Sequence, residues 1–282
     1  MLIWSSPFYK TASCQGDQTF MLLLSFGLMT LSVCIITLNE EANIGRTLAS
    51  LKDIADEIII VDSGSTDATV AIAQSFGAKV FPEPWKGFAR QKNSSLQKAT
   101  CDWILSLDAD EEASSELAAS IKKLLNSGQP PEFSGYMINR RNIYFGKWLK
   151  RAGYYPDPKL RLIRRGAAQF ELRDVHEDLK MPGQKLGHVH GDMLHHAYQT
   201  IESFIAHQNS YSSLGADMVV RERKVGFNVV NIVLRPMVRF IWAYFFRMGF
   251  LDGREGLVVL MNHAMYVSWK YAKAWQKSKS AP

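Results

Sequence analysis

Apolar and polar positions follow two different periods along the first half of the chain. Leu31–Leu38 is a mostly apolar run, the pattern of a buried strand. Glu41–Ile54 carries Ile44, Leu48, Leu51 and Ile54 at helical spacing. Glu57–Val61 is a second apolar run, ending in the turn-forming stretch Asp62-Ser-Gly-Ser-Thr-Asp67. Thr69–Phe76 is predicted helical, with Gly77 as its stop. Lys79–Phe81 predicts a strand, Gly87–Thr100 a helix, and Trp103–Asp108 another strand. Strands alternating with helices predict a parallel sheet with right-handed crossovers.

The second half is less regular. Ser114–Asn126 predicts a helix with Leu117, Ile121, Leu124 and Leu125 on one face, and Gly128–Pro131 breaks the pattern. Short β-type runs at Tyr136–Ile138, Leu160–Ile163 and Lys185–His190 are expected to complete the sheet and wall an acceptor site. Ile201–Arg223 reads as a helix. Val229–Phe250 is apolar and aromatic but interrupted by Arg235, Pro236, Arg239 and Arg247. Arg254–Trp275 reads as a second apolar helix, with Lys270 and Lys273 near its end. Arginines within the first segment argue against a membrane span. Two amphipathic helices with aromatic and basic residues fit a membrane surface. The alternative is a helical pair packed on the core or in a dimer interface.

Phe20–Leu38 is long enough to suggest a span, but its second half reads as the first strand. Lys10 alone is basic ahead of it and no small-residue cleavage site follows, so a signal peptide is not expected. Met29-Thr30 would make a natural start. The expected organisation is a dispensable extension at 1–28, a catalytic domain at 29–225 and an amphipathic helical region at 226–282. The 282 residues are 47% hydrophobic and 21% charged, which is globular composition. A net charge of +6 and a pI near 9.1 favour an anionic partner. Cys14, Cys34 and Cys101 have neither metal nor disulfide spacing, which fits a reducing compartment.

The chemistry concentrates at predicted strand ends. Asp108 and Asp110 close the run from Trp103, Asp62 closes the second strand, and Thr37 and Glu40 close the first. In a parallel sheet these ends share one edge, where ligands bind. Paired carboxylates there suit Mg²⁺ or Mn²⁺, whose shells are commonly completed by substrate phosphates. An isolated Asp62 or Asp67 could equally be a helix cap. Arg161, Arg164 and Arg165 form a basic cluster, either for phosphate or as a solvated strand face. His188, His190, His195 and His196 lack zinc-site spacing, and His-x-His alternation points to packing and hydrogen bonding. One of them, His196, is a candidate third ligand to a catalytic ion.

Ile35–Glu40, Ile60–Asp67 and Leu107–Glu111 together resemble the family 2 glycosyltransferases of the GT-A fold. Lys159–Arg165, Val175-His-Glu177 and Gly249–Gly253 narrow the resemblance to the WaaE/KdtX-type lipopolysaccharide core glycosyltransferases. It reaches from Thr30 to near Trp275. The fold it implies is α/β, a Rossmann-like, mixed but mostly parallel sheet flanked by helices, with a C-terminal pair of amphipathic helices. It implies an inverting enzyme that moves a sugar, glucose first, from a nucleotide-sugar donor, a UDP-sugar, to an inner-core heptose. Asp62, Thr37 and Glu40 would contact the nucleoside, Asp108 the ribose or metal, and Asp110 the metal. Arg90 would face the same edge and pair with base or diphosphate, unless it is a surface helix residue. Glu177 is the expected base, with Asp174 and Asp178 as competitors. The partners implied are the donor, a lipid-linked glycan acceptor and a peripheral membrane surface, not nucleic acid. The expected location is cytoplasmic, at the inner membrane. Competing readings are a polyprenyl-phosphate or protein acceptor, and a non-catalytic membrane-docking protein of this fold.

Overall fold

The computed structural model describes residues 28–128, 131–172, 178–222 and 227–279. The extension expected at 1–28 lies, Leu28 apart, outside the described residues. The strands β1 (Leu31–Thr37), β2 (Glu57–Asp62), β3 (Lys79–Pro82) and β4 (Trp103–Asp108) run parallel, in the spatial order β3-β2-β1-β4. Helices α1 (Ile44–Ala49), α2 (Thr69–Ser75) and α3 (Phe88–Gln97) make the crossovers. β1 and β2 are buried almost throughout, which explains their unbroken apolar sequence. The register sets Thr37 beside Asp62 and Ile36 beside Asp108. The three acidic strand ends therefore do share one edge.

α1 is shorter than the apolar spacing predicts. The amides of Glu40 and Glu41 donate to Thr69 Oγ1 and Asp67 Oδ2, tying this loop to the one after β2 before any helix begins. At its far end the chain closes in turns at residues 50–54.

Beyond β4 the sheet becomes mixed. After β5 (Glu111–Ala113) and α4 (Ser115–Leu125) come β6 (Gly135–Tyr144), β7 (Lys147–Trp148), β8 (Pro158–Arg164), the ribbon of β9 (Gln169–Phe170) with β10 (Leu179–Lys180), and β11 (Gly187–Tyr198). β8 inserts antiparallel between β4 and β6, β11 lies parallel to β6, and β5 pairs antiparallel with β11. β6 and β11 are much longer than their apolar runs, because polar residues on them face partners inside the protein. The core lies under β1 and β4, where fully buried Trp103 meets Tyr136 with ring centroids 5.9 Å apart. Ser114 caps α4 by accepting from the Leu117 amide at 3.1 Å. Gly191 lets β11 press on that helix: its φ is +97°, and a Cβ there would meet the Leu117 nitrogen at 2.3 Å.

The C-terminal region packs on the sheet. Helices α5 (Ile201–Glu222) and α7 (Gly253–Lys279) lie together, and Phe204 and Val259 join Tyr144 and Leu149 in a small core. The Asp252 carboxylate accepts the amides of Lys150 at 3.1 Å and Arg151 at 2.8 Å. The segment expected as one amphipathic helix is broken into a π-turn at Val230–Leu234, α6 (Arg235–Ile241) and a second π-turn at Trp242–Phe246. Pro236 sits in the first turn of α6 and cannot donate to the preceding one. Among the described residues, no helix is long and apolar enough to cross a membrane.

Glu57 anchors the other end of β2. It accepts from Ser32 Oγ at 2.6 Å, Lys79 Nζ at 2.7 Å and the Thr100 amide at 3.0 Å. Burial alone would raise its carboxyl, but Lys79, Ser32 and Thr100 bring it down to about 2. A depressed carboxyl stabilises the fold above its unfolded value and loses that contribution as pH falls toward 2. Wild type should lose roughly 2 kcal/mol more than Glu57→Gln between pH 5 and pH 2. Urea unfolding of both proteins across that range checks this; parallel pH profiles would refute it.

Candidate active site

The loop after β2 is organised by Asp62. Its Oδ1 accepts from Thr37 Oγ1 at 2.9 Å and Ser65 Oγ at 2.5 Å. Its Oδ2 accepts from the Gly64 and Ser65 amides, both at 2.9 Å. Burial would raise this carboxyl, but the Ser65, Thr37 and Gly64 donors hold it below the usual range. Four donors fill its acceptor sites, so Asp62 shapes the loop. Asp67 does the same for the start of α2, accepting from the Thr69 amide at 3.0 Å. Glu40 faces the edge with less support. Burial, together with the negative charge of Asp110, Asp67 and Asp108, raises its carboxyl against a hydrogen bond from Asn43.

Asp108 lies between two buried cations. Lys92 Nζ is 2.7 Å from its Oδ1 and Arg161 is 2.9 Å from its Oδ2. Burial opposes ionisation, yet Lys92 and Arg161 keep the carboxyl ionised, far below its ordinary value. Arg161 also reaches the fully buried Glu111 at 2.8 Å, and Arg140 approaches that same carboxylate at 3.5 Å. Glu111 accepts the Asp108 amide at 3.0 Å, which stiffens the turn between β4 and β5. Lys92, Asp108, Arg140 and Arg161 line one cavity of about 770 Å³.

The expected basic cluster on β8 divides. Arg161 points inward and is 6% exposed, so it belongs to no solvated face. Arg164 is exposed and pairs in register with Trp103, at the opposite end of β4 from Asp108. The antiparallel direction of β8 carries Arg164 and Arg165 away from the acidic edge. In α3, Lys92 is the basic residue that touches the acidic cluster, while Arg90 is exposed. Two residues on a helix lie about 200° apart.

Asp110 differs from Asp108. Its side chain is 25% exposed, and its Oδ2 lies 3.3 Å from His195 Nε2. The short strand β5 causes this: its pairing with β11 sets His195 opposite Glu111, and the His196 amide donates to the Asp110 carbonyl. His195 Nδ1 is 2.8 Å from Asn142 Oδ1. In the neutral ring, donation to Asn142 leaves the Nε2 lone pair facing a carboxylate oxygen. Two acceptors so placed call for a proton or a cation between or beside them. One carboxylate oxygen and one imidazole nitrogen fit a divalent ion that fills its shell from phosphate and water. Among the described residues, no cluster of three or more His, Cys, Asp or Glu side chains forms a complete cage.

His196, a candidate third ligand, turns its ring to Glu112 at 2.6 Å, and Glu112 also pairs with Arg46. His195 takes the place beside Asp110. His188 and His190 are exposed on either side of buried Val189, so they are not packing residues. Glu177 and Asp174 lie outside the described residues; Asp178 lines the cavity beside Asp108. Nothing in the sequence singles out Lys92 or Arg140; Glu111 stands there only as the end of the third motif, and His195 only among the four histidines. Glu111 had a signal, an acid directly after the paired aspartates. The others became visible only through long-range pairing.

Residues 32–178 match the model of Glycosyl transferase family 2. The lipopolysaccharide core biosynthesis glycosyltransferase LpsC of Rhizobium meliloti is 34% identical, over 88% of this chain and 93% of its own. An uncharacterized glycosyltransferase of Rickettsia typhi is 33% identical, over 81% of this chain and 80% of its own. The crystal structure of S. aureus TarS residues 1–349 in complex with UDP superposes with a TM-score of 0.44 at 15% identity, covering 90% of this chain and 92% of that one. The chain belongs to Glycosyl transferase family 2. It is a glycosyltransferase with a GT-A-like, mixed but mostly parallel sheet.

The buried Arg161 is testable as a structural pivot. Removing one partner of a buried ion pair leaves an unpaired charge. Arg161→Met should lower the unfolding free energy by on the order of 3 kcal/mol, because Glu111 then keeps the Asp108 amide but, among the described residues, only the longer Arg140 contact as an ion pair. Urea denaturation measures it; an unchanged midpoint would show that Glu111 is satisfied without Arg161.

Proposed function

We propose that the protein transfers a sugar, glucose from UDP-glucose, to a heptose of the lipopolysaccharide inner core, with inversion at the anomeric carbon. The observation that carries this reading is the division of labour between Asp108 and Asp110. Asp108 is engaged by Lys92 and Arg161, whereas Asp110 faces the His195 ring at 3.3 Å, and the two together offer a pair of metal ligands. A divalent ion held by Asp110 and His195 would supply Lewis-acid stabilisation of the charge that the leaving diphosphate gains. Thr37, Glu40 and the loop shaped by Asp62 take the nucleoside, and Asp108 faces the ribose or shares the ion. Glu177 takes the proton of the acceptor hydroxyl as that oxygen attacks the anomeric carbon. One base and no covalent intermediate give inversion. The acceptor class is supported by the 34% identity to a lipopolysaccharide core glycosyltransferase.

The tail supports work at a membrane surface. Val238, Trp242, Phe245 and Phe246 are each more than half exposed. Arg235 and Arg247 flank them. Apolar side chains beside basic ones suit the anionic cytoplasmic face of the inner membrane.

Asp110→Ala should abolish metal-dependent hydrolysis of UDP-glucose and leave the fold intact. Glu177→Gln should retain donor binding and lose transfer by about 100-fold or more. Measuring UDP release with Mn²⁺, with and without acceptor, separates the two. Undiminished transfer by Glu177→Gln would move the base to Asp174 or Asp178. Absence of any nucleotide-sugar binding or hydrolysis by wild type would end the transferase reading.

A strain lacking the gene should make lipopolysaccharide short of one hexose by mass. The wild-type gene should restore it. The double change Trp242→Ser with Phe245→Ser should restore it poorly and shift the protein out of the membrane fraction. An unchanged core in the deletion strain would point to another acceptor.

A further inference from the structure

A second cavity, of about 520 Å³, lies where β6 and β11 meet α5, α6 and α7. Its size is that of a small-molecule site. Tyr144, Tyr154, Tyr198, His207, Tyr211 and His263 line it. Two of these contacts are short: Tyr154 to His263 Nδ1 and Tyr198 to His207 Nδ1, both 2.6 Å. Burial pushes both phenols up and both imidazoles down, His263 to about 4. At neutral pH each tyrosine therefore donates to a neutral ring, and each Nε2–H remains a donor. The wall combines aromatic faces with hydrogen-bond donors, the chemistry that suits the C–H faces and hydroxyls of a sugar ring.

α6 adds a charge. Arg239 lines the cavity, and among the described residues no ion pair joins it to a carboxylate. Its field reaches His263 and Tyr266. An unpaired guanidinium beside a polar aromatic wall suits a carboxylate or phosphate. The position matters as much. Tyr198 lies three residues beyond His195 on β11, about 10 Å of strand from the ring that faces Asp110. Neighbours of Arg239 on α6, Val238 and Ile241, are exposed and apolar. The cavity thus lies between the carboxylate edge and the apolar face.

We propose that this cavity is the acceptor subsite: it holds a sugar ring of an anionic glycan, and Arg239 pairs with that glycan's phosphate or carboxylate. The proposal rests on the transferase reading above.

The test uses the full chain and deacylated core oligosaccharide from a strain lacking the gene. Titration calorimetry without donor reads acceptor binding, and slow UDP-glucose hydrolysis without acceptor reads the donor site. Arg239→Gln, an exposed position, should weaken oligosaccharide binding by about tenfold, the value of one charge-assisted contact. Ala264→Trp should fill the cavity and abolish binding. Hydrolysis should stay within about twofold of wild type in both variants. Dephosphorylating the oligosaccharide should reproduce the Arg239→Gln loss if the anion is phosphate; amidating its carboxylates should do so if it is not. Undiminished binding by both variants, or no binding by wild type, overturns the proposal. Binding that is lost in the variants while wild type fails to hydrolyse UDP-glucose would keep the subsite and reject the donor reading instead.

Discussion

The guanidinium of Arg161 holds the centre of this protein together. It is buried, and a buried cation is tolerated only with partners of good geometry. Asp108 and Glu111 supply them, from the end of β4 and the start of β5. One side chain on β8 thereby fixes the turn that carries both aspartates. With Lys92 on its other oxygen, Asp108 is locked in place and ionised. Asp110, two residues later, is left with a partly open carboxylate.

That asymmetry is completed from far along the chain. β5 is three residues long, yet its pairing with β11 brings His195 against Asp110. Asn142 on β6 holds the other nitrogen of that ring. The carboxylate edge is thus built from β1, β2 and β4, and the imidazole beside it from the mixed half of the sheet. Neither half would present the pair without the other. Gly191 permits this closure, since any side chain there would strike the backbone of α4.

The tail is part of the same body. Asp252 takes two amides from the segment after β7, and Phe204 and Val259 pack on Tyr144 and Leu149. Arg239 and Phe240 of α6 line the tyrosine- and histidine-rich cavity, while Val238 and Ile241 of the same helix, and Trp242 just beyond it, present exposed apolar side chains. An aromatic cavity edged with hydrogen-bonding groups and an exposed apolar surface thus adjoin at one short helix.

The parallel half of the sheet was legible because β1, β2 and β4 are buried on both faces and read as apolar runs that stop at acids. Local pattern alone led from there to a shared edge with Thr37, Asp62, Asp108 and Asp110. The mixed half was not legible in the same way. Arg140, Asn142, Arg161, Asp192 and His195 interrupt the apolar period of β6, β8 and β11, since each faces a polar partner inside the protein. Strand direction was equally hidden, and it separates Arg161 from Arg164. By itself the sequence determined the βα pattern, the acidic edge and the helical character of the C-terminal region, all set by neighbours a few residues apart. Tertiary structure alone decided which cation neutralises Asp108, which histidine meets Asp110 and which basic residue of α3 reaches the cluster. Those pairings depend on register and strand direction between distant segments, and an ion pair forms only where both bring the charges within a few ångströms.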